Sequence, residues 1–340
     1  TTRPKKETTS SNPVHTIGDI DIPSSVRHVL SLGPKFAVEP KKTAPELLSI
    51  IRQVSRRAPE TEIDRCTSEG VDLLVRYKPS AAPLPIKRVE AYLKEHSLTL
   101  MPADKEGGFV LMQKETFGEK ALTAVESVFS SHDEISLERV KRVAKTFCHS
   151  QNLNQLCSRI ERSKNLSLQL FFSAKTHKPE CPLRVIISER ETWQKSVGVY
   201  LQERLKLLVI DDPYLIHSSY DVISFFDQKS HQDQRAFSID IKDLYYSLPQ
   251  PHLIRCIEDC IDTYGITAFQ NAAGLSQSNF LNLIDIYLKS TFATWDGHTY
   301  LQKRGVCIGS CIAPILSDLY LAHLDRNLNL TLDASIVKKV

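Results

Sequence analysis

The sequence predicts a mixed α+β fold, and three observations carry that prediction. Residues 24–96 repeat apolar side chains at helical spacing. Residues 98–113 and 168–188 change to paired short apolar runs separated by turn formers, and long helical stretches follow each pair. At 340 residues, 41% hydrophobic and 24% charged, the chain can bury a core and has the length of about two domains. Its net charge of +3 is weakly basic, so any footprint for a polyanion must be local. No apolar run reaches the roughly eighteen residues of a membrane-spanning helix, and no membrane partner is expected. The start, Thr1-Thr-Arg-Pro-Lys-Lys6, lacks both a signal core and an initiator Met, so the chain is expected to be a fragment. Eight cysteines scattered through the predicted elements suit a reducing, intracellular compartment.

The elements follow in order. Residues 1–25 are polar, carry Pro4, Pro13 and Pro23, and read as a disordered tail. Residues 44–54 make a helix with Pro45 in its first turn, and residues 62–77 and 85–96 make two more around the breaker-rich loop 79–85. Together 26–97 form a helical N-terminal region. Strands are expected at 98–102 and 108–113 around the turn 103–107, then helices at 114–128 and 134–163. A second strand pair, 168–173 and 183–188, is joined by a basic loop and followed by a helix at 191–208. Residues 237–246 read as a strand and turn. Helices at 251–264 and 276–292, a hairpin at 293–301 turning on Asp296-Gly297, and an apolar helix at 313–330 complete the chain.

Four stretches carry side chains that could do chemistry. Phe237-Ser-Ile-Asp-Ile-Lys-Asp-Leu-Tyr-Tyr246 reads as an apolar strand delivering Asp240 to its end. A two-metal site, with ions about 4 Å apart, needs a carboxylate held that rigidly; a lone Asp at a strand end is more often a helix cap or turn former. Asp243, three residues on, cannot share the strand face and belongs to the turn, with Tyr245 free to lie under a sugar and Tyr246 suited to the core. In Asp104-Lys-Glu-Gly-Gly108 the glycines and Lys105 could cradle a phosphate or simply turn a hairpin. Lys175, His177, Lys178 and Arg184 crowd the loop between the second strand pair. Arg184 sits inside an apolar strand, so it must meet an anion or face solvent; its fork suits a triphosphate as well as a salt bridge. Gln302-Lys-Arg-Gly-Val-Cys-Ile-Gly-Ser-Cys-Ile-Ala-Pro-Ile-Leu316 could offer loop amides to a substrate, or be an ordinary strand-to-helix connection capped by Ser310. The pairs Cys256/Cys260 and Cys307/Cys311 read as buried thiols rather than zinc ligands, since no His-x₃-His completes a set.

In this order, these stretches and Val29-Leu-Ser-Leu-Gly-Pro-Lys-Phe36 resemble the reverse transcriptases of Penelope-like retroelements, relatives of telomerase. The resemblance rests on Ala103-Asp-Lys-Glu-Gly-Gly-Phe-Val-Leu-Met112, on Lys175-Thr-His-Lys-Pro179 with Pro182-Leu-Arg-Val-Ile-Ile-Ser188, on the Asp240 stretch, and on Gly305-Val-Cys-Ile-Gly-Ser-Cys-Ile-Ala-Pro314. It implies a right-hand polymerase, with residues 98–233 as fingers and 234–340 as a partial, truncated palm. Asp240 would be the first metal-binding aspartate for Mg²⁺, with the Ile241 carbonyl beside it. Asp243 and Leu244 would offer backbone to the dNTP, and Tyr245 would sense its 2′ position. Lys105, Lys175 and Arg184 would hold the triphosphate, and Gly309 and Ser310 would line the nucleotide pocket. An RNA template and a DNA primer are the implied partners, and the nucleus is the implied site of action. The reaction would be attack of the primer 3′-hydroxyl on the α-phosphate.

Two departures qualify that implication. Ile308 stands where many reverse transcriptases carry Gln, which weakens one nucleotide contact. The Tyr-x-Asp-Asp motif that should follow Ser335-Ile-Val-Lys-Lys-Val340 is absent, and the one Asp-Asp pair, Asp211-Asp212, lies upstream in a Pro-bounded loop. A truncated, inactive polymerase segment is therefore expected, with a catalytically dead nucleic-acid-binding remnant as the alternative.

Overall fold

The computed structural model describes residues 13–36, 43–76, 85–227 and 238–331, and it divides into two compact units, residues 1–117 and 118–340. The expectations placed on residues 1–12, on loop residues 79–84, on Phe237, on a fingers–palm boundary at 233/234 and on 332–340 lie outside the described residues.

The first unit holds β1 (Val14–Ile17), α1 (Ser24–Leu30), α2 (Ala44–Ser55), α3 (Ile63–Arg76), α4 (Ile86–Glu95), β2 (Leu98–Pro102) and β3 (Phe109–Gln113). A capping box between Thr43 and Glu46, with Pro45 in the first turn, starts α2 where the sequence placed it. The β2–β3 hairpin forms over the expected residues, with Leu100 opposite Leu111. The disordered tail expected over residues 1–25 is corrected at β1, which pairs in parallel with β3, Thr16 opposite Leu111. The polar composition of the flanking residues hid this four-residue strand, whose anchor is backbone. Phe109 N–H donates to the Pro13 carbonyl at 3.2 Å, and a Cβ on Gly108 would stand 2.0 Å from that oxygen. The hairpin thus belongs with the N-terminal elements, around a core of Ile22, Val26, Leu30, Val89 and Leu111.

After α5 (Lys114–Val128), the second unit runs through β4 (Phe129–Ser131), α6 (Leu137–Ser150), α7 (Asn154–Arg162), β5 (Leu168–Ala174), β6 (Leu183–Ser188), α8 (Trp193–Leu205), α9 (Ser219–Asp227) and α10 (Leu244–Ser247). It continues with α11 (Gln250–Tyr264), α12 (Ile266–Ala273), α13 (Gln277–Leu288), β7 (Phe292–Trp295), β8 (His298–Gln302) and α14 (Ala313–Thr331). The single helix expected over 134–163 is two, α6 and α7, because Asn152 takes a left-handed φ of +57° that no helix interior tolerates. The sheet order is β4-β8-β7-β5-β6, parallel only between β5 and β7, which leaves β6 at an edge. Trp193, Leu201, Leu253, Ile257, Leu283, Leu316 and Leu319 are buried in the helical core beside it. Each such side chain contributes about 1.5–3 kcal/mol relative to exposure. Among the described residues no helix is long and apolar enough to cross a membrane.

The strand expected from residue 237 is the main correction. Residues 238–241 join no sheet, and Ile239 is 81% exposed. The β6 edge is taken by other partners: Ile187 N–H donates to the Ile308 carbonyl at 2.8 Å, and the Tyr246 hydroxyl donates to the Val185 carbonyl at 2.7 Å.

Candidate functional site

The edge strand β6 organises the site. Leu183, Val185 and Ile187 are buried, while Arg184, Ile186 and Ser188 lie half-buried on the opposite face. Arg184 therefore takes the partly solvated face, paired across the ladder with Ser173 of β5, and its charge acts on the Tyr246 phenol. The loop after β5 is closed by the Lys175 N–H donating to the Pro182 carbonyl at 3.0 Å. That closure holds the Lys175 stem against the protein, its side chain 14% exposed, with Nζ 3.7 Å from an Asp243 carboxylate oxygen. His177 and Lys178 are exposed at the loop tip.

Asp243 is in a turn, as its spacing required, with φ +50° and ψ +44°; Asp is among the few residues that take this left-handed geometry at modest cost. The turn starts α10. Leu244 and Tyr245 pack against the helical core, and burial drives the Tyr246 phenol pKa well upward. The loop before α14 closes over this turn. Val306 N–H donates to the Tyr245 carbonyl at 2.7 Å, and Gln250 Nε2 donates to the Gly305 carbonyl at 2.8 Å. Gly305 has φ +77°, and a Cβ there would lie 2.3 Å from the Tyr245 oxygen. Gly309, exposed, has φ +100°, and a Cβ there would lie 2.2 Å from the Ile187 oxygen. Both glycines are required for backbone to meet backbone.

Thus Lys175, Arg184, Asp243, Leu244, Tyr245 and Gly309, drawn from three distant stretches, converge at one sheet edge. Ser310 joins them differently. It is buried, its hydroxyl shares a 2.6 Å hydrogen bond with the Tyr287 phenol, and it accepts from Ile312 N–H at 3.4 Å. Its side chain is committed inward, so its part in a pocket would be backbone. Asp240 and Ile241 lie in exposed coil leading to the turn. Lys105 is exposed on the β2–β3 turn of the first unit, where neighbouring Glu106 pairs with His15 at 2.7 Å.

Sequence reasoning missed Glu189. It is buried immediately after β6, accepts from the Tyr287 hydroxyl and from Cys311 N–H at 2.9 Å, and lies 3.7 Å from Lys195 Nζ. Burial, then the Glu189 charge, pushes the Cys311 thiol up to about 12, so it is a neutral thiol. Cys307 is buried and donates to the Gln302 side chain. The signal for Glu189 was present: a charge ending an apolar strand, the same oddity that singled out Arg184.

No protein-family model and no curated protein matches this sequence. Among solved structures, the chain is similar to apo telomerase from Candida tropicalis truncated from its C-terminal domain, at 13% identity and a TM-score of 0.50, over 92% of this chain and 62% of that one. It is also similar to apo telomerase from the same species (11% identity, TM-score 0.48, 92% and 54% covered). A third is telomerase from Candida albicans in complex with a TWJ fragment of telomeric RNA (15%, 0.46, 82% and 47%). The chain spans less than two thirds of the length of each of these telomerases. At such identities the likeness is one of fold. The chain has a mixed α+β, reverse-transcriptase-like fold.

Proposed function

We propose that the chain is a segment of an RNA-directed DNA polymerase of the Penelope-like retroelement type, with fingers over 98–233 and palm from 234 onward, acting in the nucleus. The observation that supports this reading best is the convergence at β6. A basic hairpin loop, an aspartate-bearing turn and a glycine loop meet where an incoming nucleotide would need cations, backbone amides and a flat wall together. Arg184 and Lys175 would hold the dNTP triphosphate. The backbone of Asp243 and Leu244 would face its phosphates, Tyr245 its sugar, and Gly309 with the Ser310 backbone its base. The RNA template and DNA primer would be held chiefly through phosphate and 2′-hydroxyl groups, making binding shape-selective and salt-sensitive.

The carboxylate of Asp240 and the carbonyl of Ile241 fit one Mg²⁺ ion, which takes one or two carboxylates, substrate phosphates and water. They do not make the pair of ions that nucleotidyl transfer uses, and among the described residues Asp240 belongs to no cluster of three or more side chains able to ligate a metal. When bound, Mg²⁺ would neutralise charge on the phosphate oxygens. The residues of the chain orient the dNTP and exclude water around it. The exposure of Asp240 favours a second reading, a nucleic-acid-binding remnant without synthesis.

The test is binding of a labelled dNTP in the presence of RNA–DNA template–primer and Mg²⁺, followed by primer extension. The polymerase reading expects dNTP binding that Arg184→Ala weakens at least tenfold, with no extension by residues 1–340 alone. Binding indifferent to Arg184→Ala contradicts the triphosphate assignment. Extension that Asp240→Asn abolishes would show a complete catalytic set and reject the remnant.

A further inference from the structure

We propose that His252, Cys256 and His323 form a binding site for a divalent transition metal of the zinc class, clamping α11 to α14. His252 and Cys256 are one helical turn apart on α11 and so share a face, and His323 of α14 meets that face. Their ligand atoms all lie within 4.8 Å of one another. Three atoms at the corners of a 4.8 Å triangle lie about 2.8 Å from its centre, whereas Zn–N and Zn–S bonds are about 2.0–2.3 Å. Closing that gap takes a shift of about half an ångström in each donor, within reach of side-chain rotation.

The surroundings fit a resident ion. Cys256 is buried, and His252 and His323 are half-buried, so the site has a dry thiol floor and a mouth open to solvent. That mouth supplies an entry path and a fourth coordination position for water. An Asp259 carboxylate oxygen lies 3.8 Å from His323 Nδ1, beyond hydrogen-bond length, so it adds negative charge beside the site without fixing the ring. Two imidazoles and a thiolate suit Zn²⁺ or Co²⁺ and are wrong for Mg²⁺ or Ca²⁺, which prefer oxygen. Binding replaces the Cys256 thiol proton, which passes to solvent as the sulfur–metal bond forms. Cys260, one turn further along α11, is engaged by Arg326 and stands outside the set. Without a metal the same rings are an edge-to-face aromatic cluster, His252 at 5.4 Å from both Tyr320 and His323.

The site is separate in chemistry from the oxygen ligands proposed for Mg²⁺, so its test is independent of polymerase activity. Co²⁺ titrated into the reduced 340-residue chain is expected to bind one equivalent, with tetrahedral d–d bands and a thiolate-to-cobalt charge-transfer band, and to be displaced by Zn²⁺. Cys256→Ser should abolish the charge-transfer band, and Cys260→Ser should keep it. Absence of the band from the unmodified protein overturns the proposal without reference to any variant. So does its persistence in Cys256→Ser, which would place the thiolate elsewhere.

Discussion

Replacing Gly305 by Ala tests the junction that ties the aspartate turn to the glycine loop, and the fold provides its own control. Gly274 and Gly305 have similar left-handed φ, +71° and +77°, yet nothing lies within 4 Å of a Cβ at Gly274. A Cβ at Gly305 would stand 2.3 Å from the Tyr245 oxygen and 2.7 Å from Tyr246 backbone atoms. Both substitutions incur the left-handed cost of about 1 kcal/mol. Gly305→Ala must also push the loop about 1 Å off α10 to restore ordinary contact, which breaks the 2.7 Å bond from Val306 N–H to the Tyr245 carbonyl. Losing that bond with both groups enclosed costs about 1–3 kcal/mol more. The totals are about 1 kcal/mol at Gly274 and about 3 kcal/mol at Gly305. For a unit of this size they correspond to Tm losses of about 3 °C and 9 °C. Both tryptophans, Trp193 and Trp295, lie in the second unit, so fluorescence-detected denaturation reports on the right region. Equal losses for the two variants, within about 0.5 kcal/mol, would refute the close approach of Gly305 to Tyr245.

Two further outcomes are expected. Tyr246→Phe removes the donor to the Val185 carbonyl and should destabilise the second unit by about 1–2 kcal/mol in urea titrations, without changing the slope of the unfolding curve. His298, hydrogen-bonded to Asp133 at 2.9 Å, has its pKa raised above 6.5 by that bond and by the carboxylate charge. The Thr299 backbone amide first, and His298 second, lower the Asp133 carboxyl below 3.8. The His298 contribution is full below its unfolded pKa and is lost as pH rises through its raised value. The Asp133 contribution is present above 3.8 and is lost as pH falls through its lowered value. The pair is therefore strongest between about pH 4 and 6.5, and an NMR titration should show the His298 pKa falling in Asp133→Asn.

The sequence made periodic elements legible and hid those held by partners far along the chain. α5, β2, β6 and the Asp296-Gly297 hairpin appeared where apolar spacing and turn chemistry placed them, because each is specified within its own residues. β1, Val14-His-Thr-Ile17, has β-branched residues suited to a strand, but it is only four residues long and its partner β3 lies roughly ninety residues later, which local pattern does not show. The residues before Asp240 failed in the opposite direction. Their alternation is a genuine strand signal, yet residues 238–241 pair with no strand, and a strand needs a partner as well as a pattern. In the candidate site, Arg184 and the two glycines were legible as oddities, a charge in an apolar strand and glycines before a helix. Their meeting was not, since it depends on β6 lying at a sheet edge. Ser310 shows the limit of motif reading, for its hydroxyl points into the core and binds Tyr287.

The most direct test is binding of a fluorescent dNTP to the 340-residue chain with RNA–DNA template–primer and Mg²⁺, followed by fluorescence anisotropy across a salt series. Salt-sensitive binding is expected, in which Lys175→Ala combined with Arg184→Ala weakens dNTP affinity and flattens its salt dependence, because both cations would face the triphosphate. An unchanged affinity and salt dependence in the double variant would contradict a β6 edge that holds nucleotide phosphates.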